Sequence, residues 1–150
     1  MRNPEKARLR ILLFDDSSLL RSTLRHLFRN EGWEVMEFPD PDLCPLYYAS
    51  ACRCRFSEVC ADVIVTDLEM LHINGFTFVR DLLQKGCRIP FLAMFTASED
   101  AALLDQAKAL GFKIFSKPDG ITPLMEWMHN VERLVNGGRL LAPWSEIAGH

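Results

Sequence analysis

The sequence predicts an α/β fold, a doubly wound, mainly parallel five-stranded sheet in a single domain. Two observations carry this: short apolar runs rich in β-branched or aromatic residues alternate with stretches of helical spacing, and helix-boundary residues fall between the two kinds of segment. At 150 residues the chain has the size of one domain. Its core is expected over about 8–136, with 137–150 as a C-terminal tail.

The five strands are read at 9–14 ("LRILLF"), 33–38 ("WEVMEF"), 62–66 ("DVIVT"), 89–95 ("IPFLAMF") and 112–116 ("FKIFS"). The first, third and fourth are nearly continuous apolar runs, as strands buried on both faces require. Leu20, Leu24, Leu27 and Phe28 step by three or four, as do Phe76, Val79 and Leu83, then Leu103, Ala107 and Leu110, then Leu124, Met128, Val131 and Val135. Each set gives a helix one apolar face. Ser17, Asn74 and Ser98 stand where N-caps are wanted, and Gly32, Gly86 and Gly111 just past the helix ends. The second helix should fall in 39–60, "PDPDLCPLYYASACRCRFSEVC", but prolines, tyrosines and cysteines replace the helical pattern there, so an irregular, cysteine-containing segment is expected. The tail "NGGRLLAPWSEIAGH" is expected to pack through Leu140, Leu141 and Trp144.

Seventeen basic and twenty acidic residues leave a formal charge of -3 without a basic stripe, so direct nucleic-acid binding is not expected. Apolar runs are far shorter than the ~20 residues a bilayer demands, and the N-terminus lacks a signal-peptide apolar segment. Both favour a cytoplasmic protein without membrane insertion, in which five cysteines read as free thiols or metal ligands rather than disulfides.

In a parallel sheet the carboxyl ends of the strands share one edge, where ligands bind. That rule gathers Asp15 and Asp16 after strand 1, Asp67 after strand 3, Thr96 at strand 4 and Lys117 after strand 5. Two carboxylates about 4 Å apart repel by ~4 kcal/mol at an effective dielectric near 20, and Lys117 alone cannot balance three. Oxygen ligands with open positions suit a hard divalent cation, Mg²⁺ above all. Taken singly, each residue has an ordinary reading as a helix cap or turn residue. Their joint placement does not.

On these residues, in the order DD, D, T, K, the chain resembles the receiver domain of bacterial two-component response regulators over about 8–136. The resemblance implies the flavodoxin-like strand order 2-1-3-4-5 and a phosphoryl group accepted from a sensor histidine kinase on Asp67. It implies Mg²⁺ held by Asp16 directly, Asp15 through water, Asp67 and the backbone carbonyl of Glu69. Lys117 would pair with acceptor or phosphoryl oxygens, and Thr96 would hydrogen-bond the phosphoryl group. The chain is then expected to be a stand-alone, non-enzymatic signalling protein. Its downstream protein partner or homodimer would use the face of helix 4, strand 5 and helix 5, roughly 98–136.

Some positions depart from the family's usual form. Leu71 stands for a proline after the acceptor, and Ile114 for an aromatic switch residue, with Phe115 next door as possible compensation. Glu69 and Ser98 occupy positions that in the family tune dephosphorylation. The largest departure is the set Cys44, Cys52, Cys54 and Cys60, with Cys87 elsewhere, in spacings that match no standard zinc pattern. Cys60 and Cys87 each lie two residues before neighbouring strands, which run ~4.8 Å apart, so their thiols should meet on the edge opposite Asp67. With two of Cys44, Cys52 and Cys54 they could form a zinc or redox site; alternatively these are small buried apolar residues. The alternative function is accordingly a phosphorylation-independent interaction or metal/redox-sensing module on the same fold. His26 and His129 read as surface residues, and His72 as a neighbour of the acceptor loop.

Overall fold

The computed structural model describes residues 8–148 except 53 and 56. Five parallel strands form the main sheet: β1 (Arg10–Phe14), β2 (Glu34–Phe38), β4 (Val63–Thr66), β5 (Phe91–Thr96) and β6 (Phe112–Ser116). Their order, β2-β1-β4-β5-β6, is the expected flavodoxin-like one. Two further strands, β3 (Glu58–Val59) and β7 (Leu140–Leu141), pair in parallel as a separate ribbon that the sequence pattern did not announce.

Strand alternation sorts the core into two layers. Leu9, Ile11, Leu13, Val63, Val65, Ala93, Phe95 and Phe115 face α1 (Ser18–Asn30) and α5 (Thr122–Leu134), where Leu24, Phe28, Leu124, Met128 and Val131 meet them. Leu12, Phe14, Ile64, Leu92, Met94 and Phe112 face α3 (Gly75–Gln84) and α4 (Ala101–Leu110). Phe115 thus lies on the opposite face from Ile114, which packs with the second layer, and it cannot stand in for an aromatic at 114.

Capping follows the sequence with one correction. Ser17 and Asn74 accept the N–H groups of Leu20 and Thr77, whereas α4 is capped by Asp100, whose carboxylate accepts from Leu103. Ser98 instead accepts the Asp100 N–H. Gly111 alone joins α4 to β6, at φ 117°, in the left-handed region that favours glycine.

The second-helix region is irregular, as expected. A 3₁₀ turn at Pro41–Leu43 and the single turn α2 (Pro45–Tyr48) each begin at a proline, which needs no N–H partner there. Extended backbone at Cys44 and Ala49 ends each turn. The tail docks against this region through Ala142 and through Ile147 of α6 (Trp144–Ala148), both buried; Trp144 and Leu141 are half-buried, while Leu140 is exposed. Polar bonds lock it at the amino edge of the sheet. Arg139 donates to Asp62 Oδ1 at 2.8 Å, and Arg10 donates to the Ala142 carbonyl at 2.6 Å and to Glu34 at 3.1 Å.

Asp62 is almost completely buried. Arg139→Met would leave its charge without its guanidinium partner, and breaking such a buried pair from one side costs about 3 kcal/mol. Urea denaturation should report that loss with an unchanged slope. Gly75 opens α3 directly beneath β4, where a Cβ would come within 2.7 Å of Thr66 Oγ1 and against the Asp67 carbonyl. Gly75→Ala should therefore destabilise the fold by about 2 kcal/mol in the same assay.

Candidate functional site

Four parallel strands end side by side, and their register carries the polar residues to one edge. Phe14 stands opposite Thr66, Thr66 opposite Met94, and Thr96 opposite Ser116. The next residues along β1, β4 and β6 are Asp15, Asp67 and Lys117, held in place because the Asp67 N–H bonds to the Phe14 carbonyl at 2.9 Å and that of Asp15 to Phe38 at 3.2 Å.

Lys117 Nζ reaches Asp67 Oδ2 at 2.8 Å and Asp15 Oδ2 at 3.0 Å. The second oxygen of each carboxylate accepts a backbone N–H, from Leu68 at 2.7 Å and from Ser17 at 2.9 Å. Asp15 and Asp67 are buried and Asp16 is exposed. Burial raises the Asp15 pKa above the ordinary carboxylate value, against the pull of the Ser17 N–H and Lys117. Burial likewise opposes charge on Lys117, but its hydrogen bonds and attraction to Asp67 and Asp15 together outweigh it and raise its pKa.

Carboxylate oxygens of Asp15, Asp16 and Asp67 all lie within 4.8 Å of one another. Three carboxylates face one ammonium, and an open cleft lined by Asp16, Asp67, Glu69, Thr96 and Ser98 gives access from solvent. This all-oxygen donor set, with charge still to balance and room for water, fits a Mg²⁺-class cation. The Glu69 side chain is exposed at the cleft rather than engaged with Lys117, and Thr96, buried, accepts the Ser98 N–H at 3.1 Å.

Leu71 is exposed at the rim, and the loop after Asp67 is braced by other means than a proline. Asp40 Oδ2 accepts the His72 N–H at 2.7 Å, and the Gly75 N–H bonds to the Leu68 carbonyl at 3.0 Å. His72 turns to Asp42, with Nδ1 3.1 Å from Oδ2, rather than to Asp67. Asp40 went unnoticed in the sequence although it lies just past β2, where the strand-end rule would have found it. His26 is exposed, while His129 is half-buried and packs on the Trp33 ring with centroids 5.3 Å apart.

The cysteines gather at the opposite edge, and all five are free thiols. Cys60 neighbours both Cys87 and Cys54, and Cys54 also neighbours Cys52. The Cys60 thiol is the main cause that pushes Cys54 down to about 6, and it lowers Cys87 as well. Cys60 is itself raised by both neighbours, Cys52 is raised by burial, and Cys44 is pushed up by burial to about 12.

Residues 11–128 match the response regulator receiver domain family. A protein-glutamate methylesterase/protein-glutamine glutaminase of Rhizobium johnstonii is 31% identical over 107 residues, 68% of this chain and 27% of the relative. One from Treponema denticola is 25% identical over 114 residues, 75% and 29% respectively. The chain thus spans less than a third of the length of these curated relatives. Among solved structures, the chemotaxis protein CheY4 of Vibrio cholerae is 26% identical with a TM-score of 0.64, over 83% of this chain and 99% of that one. The response regulator TrrA of Thermotoga maritima, solved in complex with Mg²⁺-BeF, shares the fold at 20% identity and a TM-score of 0.63, over 82% and 98%. No helix among the described residues is long and apolar enough to cross a membrane.

A cation bound only by the folded chain stabilises it by mass action, about 2.7 kcal/mol at a hundred times its Kd. Thermal melts in rising Mg²⁺ should show a saturable increase in Tm for the natural chain and little increase for Asp16→Asn.

Proposed function

The chain belongs to the response regulator receiver domain family of two-component phosphorelays, and from that premise we propose that it accepts a phosphoryl group on Asp67 from a sensor histidine kinase and signals through a protein partner. The observation that carries this is Lys117 bridging Asp67 and Asp15 while Asp67 stays open to the cleft that holds Thr96. Such an acceptor is oriented and lines the cleft.

In the transfer, a carboxylate oxygen of Asp67 attacks phosphorus as the bond to the kinase's histidine nitrogen breaks, leaving an acyl phosphate and the imidazole, which takes up a proton. The N–H of Leu68 and the ammonium of Lys117 fix the carboxylate plane. Lys117 also offers its charge to the arriving phosphoryl oxygens, and the Thr96 hydroxyl can turn from the Ser98 N–H to donate to one of them. Asp16 and Asp67, with the Glu69 carbonyl and with Asp15 through water, would hold Mg²⁺, which would supply the further positive charge that such transfers use.

The output surface is assigned to α4, β6 and α5, within 98–136, where a downstream protein or a second copy would dock. Thr96 lies in β5 directly beside β6, so a shift of its side chain bears on that face. With Ile114 in place of an aromatic, the response runs through Thr96 and the α4 N-terminus rather than through a ring rotation. We assign the chain no enzymatic output of its own and place its action in the cytoplasm, with the kinase's phosphohistidine.

Acetyl phosphate with Mg²⁺ tests the acceptor. Intact-protein mass should rise by one phosphoryl group, only with the cation present and not in Asp67→Asn. An unchanged mass where a control receiver reacts would overturn the reading.

A further inference from the structure

We propose that Cys52, Cys54, Cys60 and Cys87 form a thiolate site for a soft, tetrahedral divalent cation of the zinc class, at the edge of the sheet away from the phosphoryl-acceptor site. The proposal does not depend on phosphorylation.

The four thiols come from three separate stretches of chain and line one cavity, together with Lys85, Leu82 and Ile147. Cys60 ends the β3 stretch just before β4, and Cys87 precedes β5. Cys52 and Cys54 lie in the nine residues between α2 and β3, which among the described positions hold no helix or strand. Successive pairs of the set, Cys52 with Cys54, Cys54 with Cys60 and Cys60 with Cys87, are close enough to act on one another.

Backbone donors and one cation lie beside these sulfurs. Cys52 accepts the backbone N–H of Cys54, and Cys87 that of Ile89, each two residues further on. The Arg88 guanidinium acts on both Cys54 and Cys87, while holding the carbonyls of Glu58 at 2.7 Å and Arg55. Four neighbouring sulfurs could not all ionise without repulsion, and a soft divalent cation is the partner that removes it. Each thiol that binds it releases its proton to solvent.

Cys44 is left out of the set. It is buried in the apolar layer, does not line the cavity, and accepts the N–H groups of Leu46 and Tyr47 instead. Zinc–sulfur bonds of about 2.3 Å hold four sulfurs closer together than a chain of pairwise contacts does. Among the described residues, the sets whose ligand atoms already lie within 4.8 Å of one another are Asp15, Asp16 and Asp67, and Asp40, Asp42 and His72. Closure therefore asks for side-chain rotation, which Cys52 and Cys54 can provide because they are half-exposed on irregular backbone. The closed site would tie that backbone to the amino ends of β4 and β5, beneath Ile147 of the tail.

The full chain, purified in reductant, should carry about one zinc, with its thiols slow to react until a chelator removes the metal. Reloading with Co²⁺ should give the intense visible bands of a tetrahedral thiolate complex. Cys54→Ser and Cys87→Ser should lose those bands, while Cys44→Ser and Asp16→Asn keep them, with circular dichroism checking each fold. Cys54 lies outside the sheet, so its variant tests the site even if Cys87→Ser misfolds. The proposal is overturned if the reduced chain neither holds nor takes up zinc or cobalt while its thiols react freely. A cobalt spectrum from oxygen ligands that ignores the cysteine substitutions would overturn it too, as would a disulfide in the purified chain with no metal uptake after reduction.

Discussion

The ammonium of Lys117, held between Asp15 and Asp67, is the interaction on which the acceptor edge depends. Two buried carboxylates at the ends of adjacent strands would otherwise force those ends apart. Lys117 can do this because β6 ends level with β5, and because the 3₁₀ turn Lys117–Asp119 begins there and turns the backbone. The same bridge leaves the site unfinished. One ammonium does not neutralise Asp15, Asp16 and Asp67, and the remaining charge faces an open cleft.

The opposite edge of the sheet makes a useful contrast. There Arg10, Glu34, Asp62 and Arg139 balance, two cations against two anions, with the buried carboxylate of Asp62 bound by the backbone N–H of Arg10 and by the Arg139 guanidinium. Charge at that edge is satisfied from within the chain, so it fixes the tail and asks for nothing more. Charge at the edge of Asp67 is not balanced from within, three carboxylates facing one ammonium. Buried charge that lacks internal compensation is what separates a binding site from a structural network.

Most of this was legible in the sequence because it rests on local pattern and one topological rule. Five strands, four of the helices and the glycine ends of three of them follow from local pattern, and the gathering of Asp15, Asp16, Asp67, Thr96 and Lys117 follows once parallel strands are made to end together. The failures lie where distant contacts decide. Asp100 displaces Ser98 as the α4 cap because the helix begins only at Ala101, with Ser98 accepting the Asp100 N–H just before it. The β3–β7 ribbon joins two-residue strands far apart in sequence, too short for any period to register. Asp40 was readable in principle, since it lies two residues past β2, but its task of bracing the loop after Asp67 through His72 and Ile73 appears only in three dimensions.

That brace bears on the missing proline at position 71. A proline there would restrict the acceptor loop through its own ring; Leu71 leaves the restriction to hydrogen bonds from outside the loop. Asp40 receives the loop N–H groups from one side, and Gly75 closes it onto Leu68 from the other. Asp40 itself begins the 3₁₀ turn that leads through Cys44 into α2. The irregular cysteine-bearing segment is therefore continuous, through a few bonded residues, with the loop that carries Asp67. A sequence that abandons the usual second helix thereby gains an anchor for the acceptor loop, and the two largest departures from the family's pattern become parts of one arrangement.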